Sequence, residues 1–370
     1  MINLGAVLRG NWARFAVAIP GYGLVVSLLF VSAQTRADEW PKVVATIAPL
    51  HSLVANLMVE GEPSELLFDR PAGGHHHAAL RPTQVRALLG ADLLVWVGPA
   101  IEGPVAEVLA NNTIAGRQWR AIDCVGQSFL KQPGISPAGD DHAHSDHGTA
   151  EKPGDTDPHV WLSPINALCY VDELTQLLTE LDPPHELQYR ANAERTRERL
   201  QRLDQQLAEQ FSAISGPFMT YHNSFNYLLN RYGLSPVGGL VVVDDRPPAL
   251  RQVLNFRQQL KQTGVSCLLA DSSSSSRKLE QWRVGTAARV ELLDVMGAAL
   301  VPGTELYFQL LQTMTNQISR CLQQPQRVGI VNRALGSNRI RTRSRIYAGY
   351  AALAVSVRTA HQSPSPHRRT

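Results

Sequence analysis

The residues best suited to chemistry are histidines, and the most informative stretch is DPHVWLSP at 157–164, which contains His159. Directly upstream, in the polar segment 140–155, three histidines alternate with carboxylates: His142, His144 and His147. Imidazole nitrogens and carboxylate oxygens are ligands for divalent metals. The pattern predicts an ordered ligand, His159, preceded by a loop that either gathers metal weakly or is only a flexible insertion.

Two further places present histidine beside a predicted strand. One is the Gly-rich turn with His75, His76 and His77, and the other is the strand end at His222. Three neutral imidazoles with an open or carboxylate-filled fourth position suit Zn²⁺. A lone histidine is more often a surface or core residue than a ligand, so a zinc site requires the fold to bring these places together.

Alternating strands and helices must position these loops. KVVATI at 42–47 and DLLVWVGP at 92–99 predict buried strands with helices between them, and the same alternation resumes after residue 215. This order is typical of parallel sheets covered by helices on both faces. Loops at the carboxyl ends of such strands are where ligands bind, so the histidine loops are well placed for a site.

A long helical region separates the two alternating regions. It runs from 163 to about 214, is broken at Pro183-Pro184, and continues as a charged helix with a thin apolar line: Leu187, Leu200, Leu203 and Leu207. A coiled-coil dimer arm is the weaker interpretation, because the helix has no sustained heptad repeat. We expect an α/β fold of two lobes, each a parallel-type sheet flanked by helices, joined by one long helix, with a metal cleft between the lobes. The predicted boundaries are 38–184 for the N-terminal lobe, 185–214 for the linking helix and 215–324 for the C-terminal lobe.

The two ends of the chain differ from its body. Residues 1–37 have three arginines, no acid and an interrupted apolar run. They predict a cleaved signal peptide rather than a membrane anchor, because the run falls short of the ~20 apolar residues of a spanning helix. Residues 325–370 have nine arginines and no acid, and predict a disordered basic extension, with contact to anionic lipid as the alternative. Residues 38–324, the body of the chain, contain 23 of the 35 basic residues and all 32 acidic residues. This negative balance attracts cations and argues against nucleic acid as a partner.

The four cysteines form no CxxC pair, which excludes a zinc ribbon. In an oxidising compartment we expect a disulfide between Cys267, which enters an apolar run, and Cys321, in an amphipathic C-terminal helix. Cys169 lies in a helical apolar pattern that predicts a buried free thiol. The pattern around Cys124 does not indicate whether this cysteine is free or in a disulfide.

Several motifs, in order, resemble the periplasmic zinc-binding proteins of ABC importers, the ZnuA type, over residues 41–322. They are VVATIAPLHSLVANL at 43–57, ADLLVWVGPAIE at 91–102, DPHVWLSP at 157–164 and YHNSFNYLLNRYGL at 221–234. The resemblance implies three ligand histidines, His76, His159 and His222. His76 precedes LRP as the family's first ligand does. The resemblance also implies the disulfide between Cys267 and Cys321.

Two departures from the family pattern concern the second lobe. Ala270-Asp271 and a serine run stand where the family has a Glu-Pro-Gln-Phe loop, and LDVMG at 293–297 keeps the aspartate of the family's LDPLG without its proline. In manganese relatives this aspartate and a glutamate in place of the third histidine complete the site. His222 therefore favours zinc, with Asp294 as a candidate fourth group. His75 is a second candidate, because some zinc members have a glutamate there.

The resemblance implies a high-affinity periplasmic receptor, not an enzyme, that captures Zn²⁺ as its transported ligand and delivers it to an inner-membrane ABC permease. We expect a monomer with no stable membrane insertion after signal cleavage. The alternatives are a manganese or iron receptor of the same fold, a zinc-buffering protein and a secreted zinc hydrolase. The sequence has no HExxH motif, which argues against the hydrolase.

Overall fold

A computed structural model describes residues 39–61, 63–69, 79–124, 128–130, 156–240 and 248–323. The predicted signal peptide, the histidine-rich segment 140–155 and the basic extension lie outside these residues. Among the helices that the structure describes, none has both the length and the apolar character needed to cross a membrane.

The first lobe is built on a parallel sheet with strand order β2-β1-β3-β4. Its strands are β1 (Val43–Ala45), β2 (Glu65–Leu66), β3 (Leu93–Trp96) and β4 (Arg117–Arg120). Its helices are α1 (Ala48–Leu57), α2 (Pro82–Leu89) and α3 (Gly103–Asn111). Strands β1 and β3 are buried along their whole length, because α1 packs on one face of the sheet and α2 and α3 pack on the other.

The second lobe repeats this topology with strand order β6-β5-β7-β8, again all parallel. Its strands are β5 (Phe218–Tyr221), β6 (Gly238–Leu240), β7 (Cys267–Asp271) and β8 (Arg289–Leu293). Its helices are α6 (Asn226–Arg231), α7 (Leu250–Thr263), α8 (Ser276–Trp282) and α9 (Leu306–Gln323). They are numbered after α4 and α5, which lie between the two sheets along the chain. The prediction of two parallel-sheet lobes is confirmed.

Two helices follow one another between the two sheets along the chain: α4 (Pro164–Leu181) and α5 (Glu186–Ser212). The hydroxyl of Ser163 caps α4 by accepting the backbone N–H of Asn166 at 3.3 Å, and the two prolines separate α4 from α5, as expected. With 27 residues, α5 is about 40 Å long at ~1.5 Å per residue.

The apolar side of α5 packs against α1, α4 and α9. Leu200, Leu203 and Leu207 are buried as predicted, but the prediction for Leu187 is wrong, since this side chain is 83% exposed. The apolar stripe begins at Tyr189, and a residue two positions earlier lies on nearly the opposite side of a helix with 3.6 residues per turn. One core cluster contains residues of α5 and of both lobes.

Both cysteine pairs form disulfides. The expected bond between Cys267 and Cys321 is present and joins β7 to α9. Cys124 and Cys169 form a second bond with Cα atoms 6.4 Å apart, so the prediction of a free thiol at Cys169 is wrong. The helical pattern around Cys169 shows which side of α4 is apolar, but it cannot show that the loop after β4 packs against that helix.

Candidate metal centre

The turn that contains His159 presents one of its ring nitrogens for binding. Asp157 is buried, and its Oδ1 accepts both the backbone N–H of His159 at 3.1 Å and the ring Nδ1–H at 2.8 Å. This contact occupies Nδ1 and leaves Nε2 as the nitrogen that can coordinate a metal. Metal-binding histidines commonly have such a carboxylate partner, which fixes the orientation of the ring.

Residues of the second lobe hold this turn in place. Tyr227 donates its hydroxyl to the carbonyl oxygen of Asp157 at 3.0 Å. Trp161, in the short 3₁₀ helix Val160–Leu162, donates Nε1–H to the carbonyl oxygen of Val295 at 2.9 Å. Tyr307 of α9 donates its hydroxyl to the carbonyl oxygen of Trp161 at 2.8 Å. The His159 turn, which belongs to the first lobe by sequence, is therefore also fixed to the second.

His222 lies at the carboxyl end of β5 in an unusual backbone conformation. Its φ angle is +50°, and among the described residues it is the one non-glycine residue with a positive φ. Its N–H donates to the carbonyl oxygen of Leu240 at 3.0 Å, and its own carbonyl accepts from the N–H of Ser224 at 2.8 Å. A left-handed conformation of this kind costs on the order of 1 kcal/mol or more and is found preferentially at binding sites.

The rings of His159 and His222 approach each other where the two lobes meet. Their centroids are 6.1 Å apart, with an interplanar angle of 79°. Two imidazoles on one tetrahedral zinc, with Zn–N bonds of about 2.0–2.1 Å, would have centroids roughly 5 Å apart. The observed pair is therefore within about 1 Å of this separation. The fold brings together two of the three predicted ligands.

The third predicted ligand lies outside the described residues. His75, His76 and His77 follow β2 directly after residue 69 and fall in the undescribed segment 70–78, and His142, His144 and His147 fall in 131–155. Among the described residues, the one group of three metal-type donors within 4.8 Å of one another is Cys124, Cys169 and Glu173. Its two sulfurs are joined in a disulfide, so they are not free thiolates.

Two carboxylates lie at the same edge of the second sheet: Asp271 ends β7, and Asp294 follows β8. Asp294 accepts backbone N–H groups on both oxygens, from Met296 at 3.2 Å and from Ala299 at 2.9 Å. Asp271, which the motifs marked only as a departure, is buried and accepts the hydroxyl of Ser224 at 2.7 Å. Because β7 pairs with β5 in parallel, a carboxylate at the end of β7 lies beside the His222 loop. The pairing of β7 with β5 is therefore what identifies Asp271 as a residue near the site.

Two linked parallel-sheet lobes, with a histidine from each meeting at the junction, define a metal-binding solute-binding protein. The sequence profile described as "Zinc-uptake complex component A periplasmic", ZnuA, matches residues 43–321. The chain belongs to this family of zinc-binding receptors for zinc uptake.

Individual relatives are similar in sequence to this chain over most of its length. A protein of Brucella abortus called "High-affinity zinc uptake system protein ZnuA" is 27% identical over 315 residues, 77% of this chain and 93% of the relative. A protein of the same name from Paracoccus denitrificans is 28% identical over 333 residues, 82% and 98% of the two chains.

Solved structures share the fold. A ZnuA crystal structure gives a TM-score of 0.63 at 20% identity, covering 77% of this chain and 100% of the other. A ZnuA deletion mutant with zinc bound gives 0.62 at 20% identity, with coverage of 78% and 100%. FpvC of Pseudomonas aeruginosa in complex with Mn²⁺ gives 0.62 at 18% identity, with coverage of 77% and 99%. Because proteins solved with different metals share this fold, the fold alone does not choose the metal.

Proposed function

We propose that the chain binds one Zn²⁺ tightly between its lobes through His159, His222 and a histidine of the 75–77 turn, and delivers it to an ABC permease. The observation that carries this proposal is the His159 and His222 ring pair at 6.1 Å, one ring from each lobe. Both rings are on loops at the carboxyl ends of parallel strands, where ligands of such sheets bind.

His76 is our candidate for the third ligand. It follows β2, which pairs with β1 in parallel, so its turn starts from the same carboxyl edge of the first sheet as the other loops of that lobe. Three neutral imidazoles are an intermediate-softness donor set that suits zinc better than manganese, which favours oxygen ligands. His75, Asp294 and Asp271 are the candidates for the fourth position.

The segment with His142, His144 and His147 is proposed as a separate, weaker site. It enters after Leu130 and returns before Asp157, whose N–H donates to the carbonyl oxygen of Leu130 at 2.8 Å. The base of the segment is therefore closed close to His159. A loop that collects metal here would raise the local zinc concentration beside the tight site.

The chemistry proposed is ligation without turnover, by a monomer located in the periplasm after removal of residues 1–37. The proposed lobes are 38–184 and 215–324, with 185–214 as the link. Support for a binding role is structural: the buried aspartate orients a ring for coordination, and the hydrogen bonds from Tyr227, Trp161 and Tyr307 limit the movement of the His159 turn. A site whose ligands are already ordered loses less conformational entropy when it binds the metal.

The choice of zinc is tested by metal competition. Metal-stripped protein is equilibrated with Zn²⁺ and Mn²⁺ at equal free concentrations, and the bound metals are measured by mass spectrometry. We expect one tightly held zinc and almost no manganese, and we expect His222→Glu to shift the ratio toward manganese because an oxygen ligand replaces a nitrogen. Preferential manganese binding by the unmodified protein would overturn the assignment.

A further inference from the structure

The second lobe has a basic surface that the zinc site does not use. Helices α7 and α8 and the residue that follows α8 contain six basic residues: Arg251, Arg257, Lys261, Arg277, Lys278 and Arg283. They contain one acid, Glu280, which accepts Nε–H of Arg283 at 2.6 Å. No carboxylate among the described residues pairs with the other five. In a body with more acids than bases, this is a local reversal of charge.

The long helix α5 shows how charges are arranged elsewhere. It contains five basic and five acidic residues, and each of its arginines forms an ion pair: Arg190, Arg195, Arg197, Arg199 and Arg202. Its field is therefore largely cancelled within the molecule. Among the described residues, no such pairs cancel the charges of Arg251, Lys261, Arg277 and Lys278, so their field extends into the solvent beside α7 and α8.

The two basic helices form one continuous side of the molecule. Phe256 of α7 and Leu279 of α8 belong to the same apolar cluster on one face of the second sheet. Trp282 packs edge-on to Phe256 with ring centroids 6.3 Å apart, so α8 lies directly beside α7. Lys261 of α7 reaches the turn after α8, with its Cε 4.0 Å from the position that a Cβ of Gly285 would take.

Exposed aliphatic side chains are set among these charges. Leu250 is 74% exposed, Leu254 is 54% exposed, and Val284, beside Gly285, is 64% exposed. Leu250 and Leu254 are one turn apart, and Lys261 lies on the same flank of α7 by helical periodicity. We call the surface formed by Arg251, Lys261, Arg277 and Lys278 with Leu250, Leu254 and Val284 the basic face.

We propose that the basic face binds the surface of an anionic phospholipid bilayer, with the basic side chains at the phosphate groups and the aliphatic side chains inserted among the lipids. Basic residues with aliphatic neighbours are the composition of surfaces that lie on anionic membranes. Protein interfaces instead favour aromatic anchors and are poor in lysine, and the one aromatic residue of α8, Trp282, is packed against Phe256 and Tyr221 rather than freely displayed. The proposal concerns peripheral contact and does not depend on zinc.

The test is co-sedimentation of the chain without residues 1–37 with vesicles of two compositions: phosphatidylcholine alone, and equal amounts of phosphatidylcholine and phosphatidylglycerol. We expect binding only to the second kind, weakening as salt is raised because salt screens exposed charges. Arg277→Gln with Lys278→Gln should reduce the affinity by about tenfold or more, since each basic side chain near such a surface contributes roughly fivefold. Leu254→Ser should weaken it further.

The matched control is Arg190→Gln with Arg202→Gln on α5, which removes the same charge from exposed positions and should change the affinity by less than about twofold. Zinc binding and thermal unfolding of every variant show whether it is folded. The proposal is overturned if the unmodified chain does not bind anionic vesicles, or if its binding ignores lipid charge. It is equally overturned if the two double variants bind alike, which would assign the binding to the arginines of 325–370 instead.

Discussion

Asp157 and His159 form a carboxylate–imidazole pair in which one oxygen, Oδ1, accepts both the ring Nδ1–H at 2.8 Å and the backbone N–H at 3.1 Å. A single buried side chain thus sets the orientation of the ring and the conformation of the turn that presents it. Asp157 can therefore affect metal binding through His159 without contacting the metal itself.

Replacing Asp157 with alanine should weaken zinc binding by roughly 10- to 100-fold without changing the number of tight sites, because the ring loses its orienting partner but not its free nitrogen. Competition against a chromophoric zinc chelator measures this. Asp182→Ala is the control, since it removes a similar contact, 2.8 Å from Nδ1 of His185, outside the proposed ligand set. Equal affinities for the unmodified protein and Asp157→Ala would show that the pair has no role in capture.

The hydroxyl of Tyr307 should contribute to both stability and zinc affinity. Tyr307 is fully buried, and Tyr307→Phe removes the hydroxyl that donates to the carbonyl oxygen of Trp161. Leaving this buried oxygen without its donor should lower the free energy of unfolding by about 1–3 kcal/mol. Denaturant titration measures the stability, and chelator competition measures the affinity. Tyr189→Phe, which breaks a bond to Asp182 instead, should lower stability and leave zinc affinity unchanged. A Tyr307→Phe protein with normal zinc affinity would contradict the idea that α9 supports the His159 turn.

Much of the fold could be predicted because local patterns decide it. The uninterrupted apolar runs of β1 and β3 are typical of strands covered on both faces, and Pro183-Pro184 marks the break between α4 and α5. The motif with His159 also identified a ring that the structure places at the lobe junction. In each case the information lies within a few neighbouring residues.

What the sequence could not show depends on contacts between distant segments. Trp161 and Val295 are 134 positions apart, and nothing in either motif indicates that they meet. The bond between Cys124 and Cys169 requires the loop after β4 to pack on α4, and the buried position of Asp271 requires β7 to lie beside β5. The basic face likewise exists only once α7 and α8 are adjacent.

Glu102 should make stability depend on pH. It is fully buried, and burial raises its pKa from the ordinary value of 4.5 to about 7, although Thr46 and the N–H groups of Val97 and Gly98 donate to it and oppose the shift. The folded protein therefore binds more protons than the unfolded chain between these values. The resulting stabilisation is complete below pH about 4.5 and is lost as pH rises through about 7.

Glu102→Gln, which cannot ionise, should remove this component of the pH dependence. Unfolding free energies measured by urea titration between pH about 4.5 and 8 should fall with pH in the unmodified protein relative to the variant. The exposed Glu107, on α3, provides the control substitution to glutamine, which should keep the slope of the unmodified protein. A Glu102→Gln protein with that same slope would mean that Glu102 is not the responsible group.

The second disulfide should stabilise the first lobe without serving the site. Cys124 and Cys169 are 45 positions apart, and closing a loop of this length contributes up to about 4 kcal/mol in the chain-entropy model. We expect the double serine variant to lose about 2–4 kcal/mol in guanidinium unfolding and to retain its tight zinc site. Unchanged stability, or loss of the zinc site from a folded variant, would contradict this division.

Calorimetric titration of metal-stripped protein with Zn²⁺ locates the tight site when the unmodified chain is compared with His159→Ala and with a deletion of 140–155. We expect one tight equivalent in the unmodified chain, its loss in His159→Ala, and its retention in the deletion variant, which should lose only weak equivalents. His185→Ala, a histidine outside the proposed ligand set, should behave like the unmodified chain. A tight equivalent that survives in His159→Ala would place the zinc site away from the junction of the two lobes.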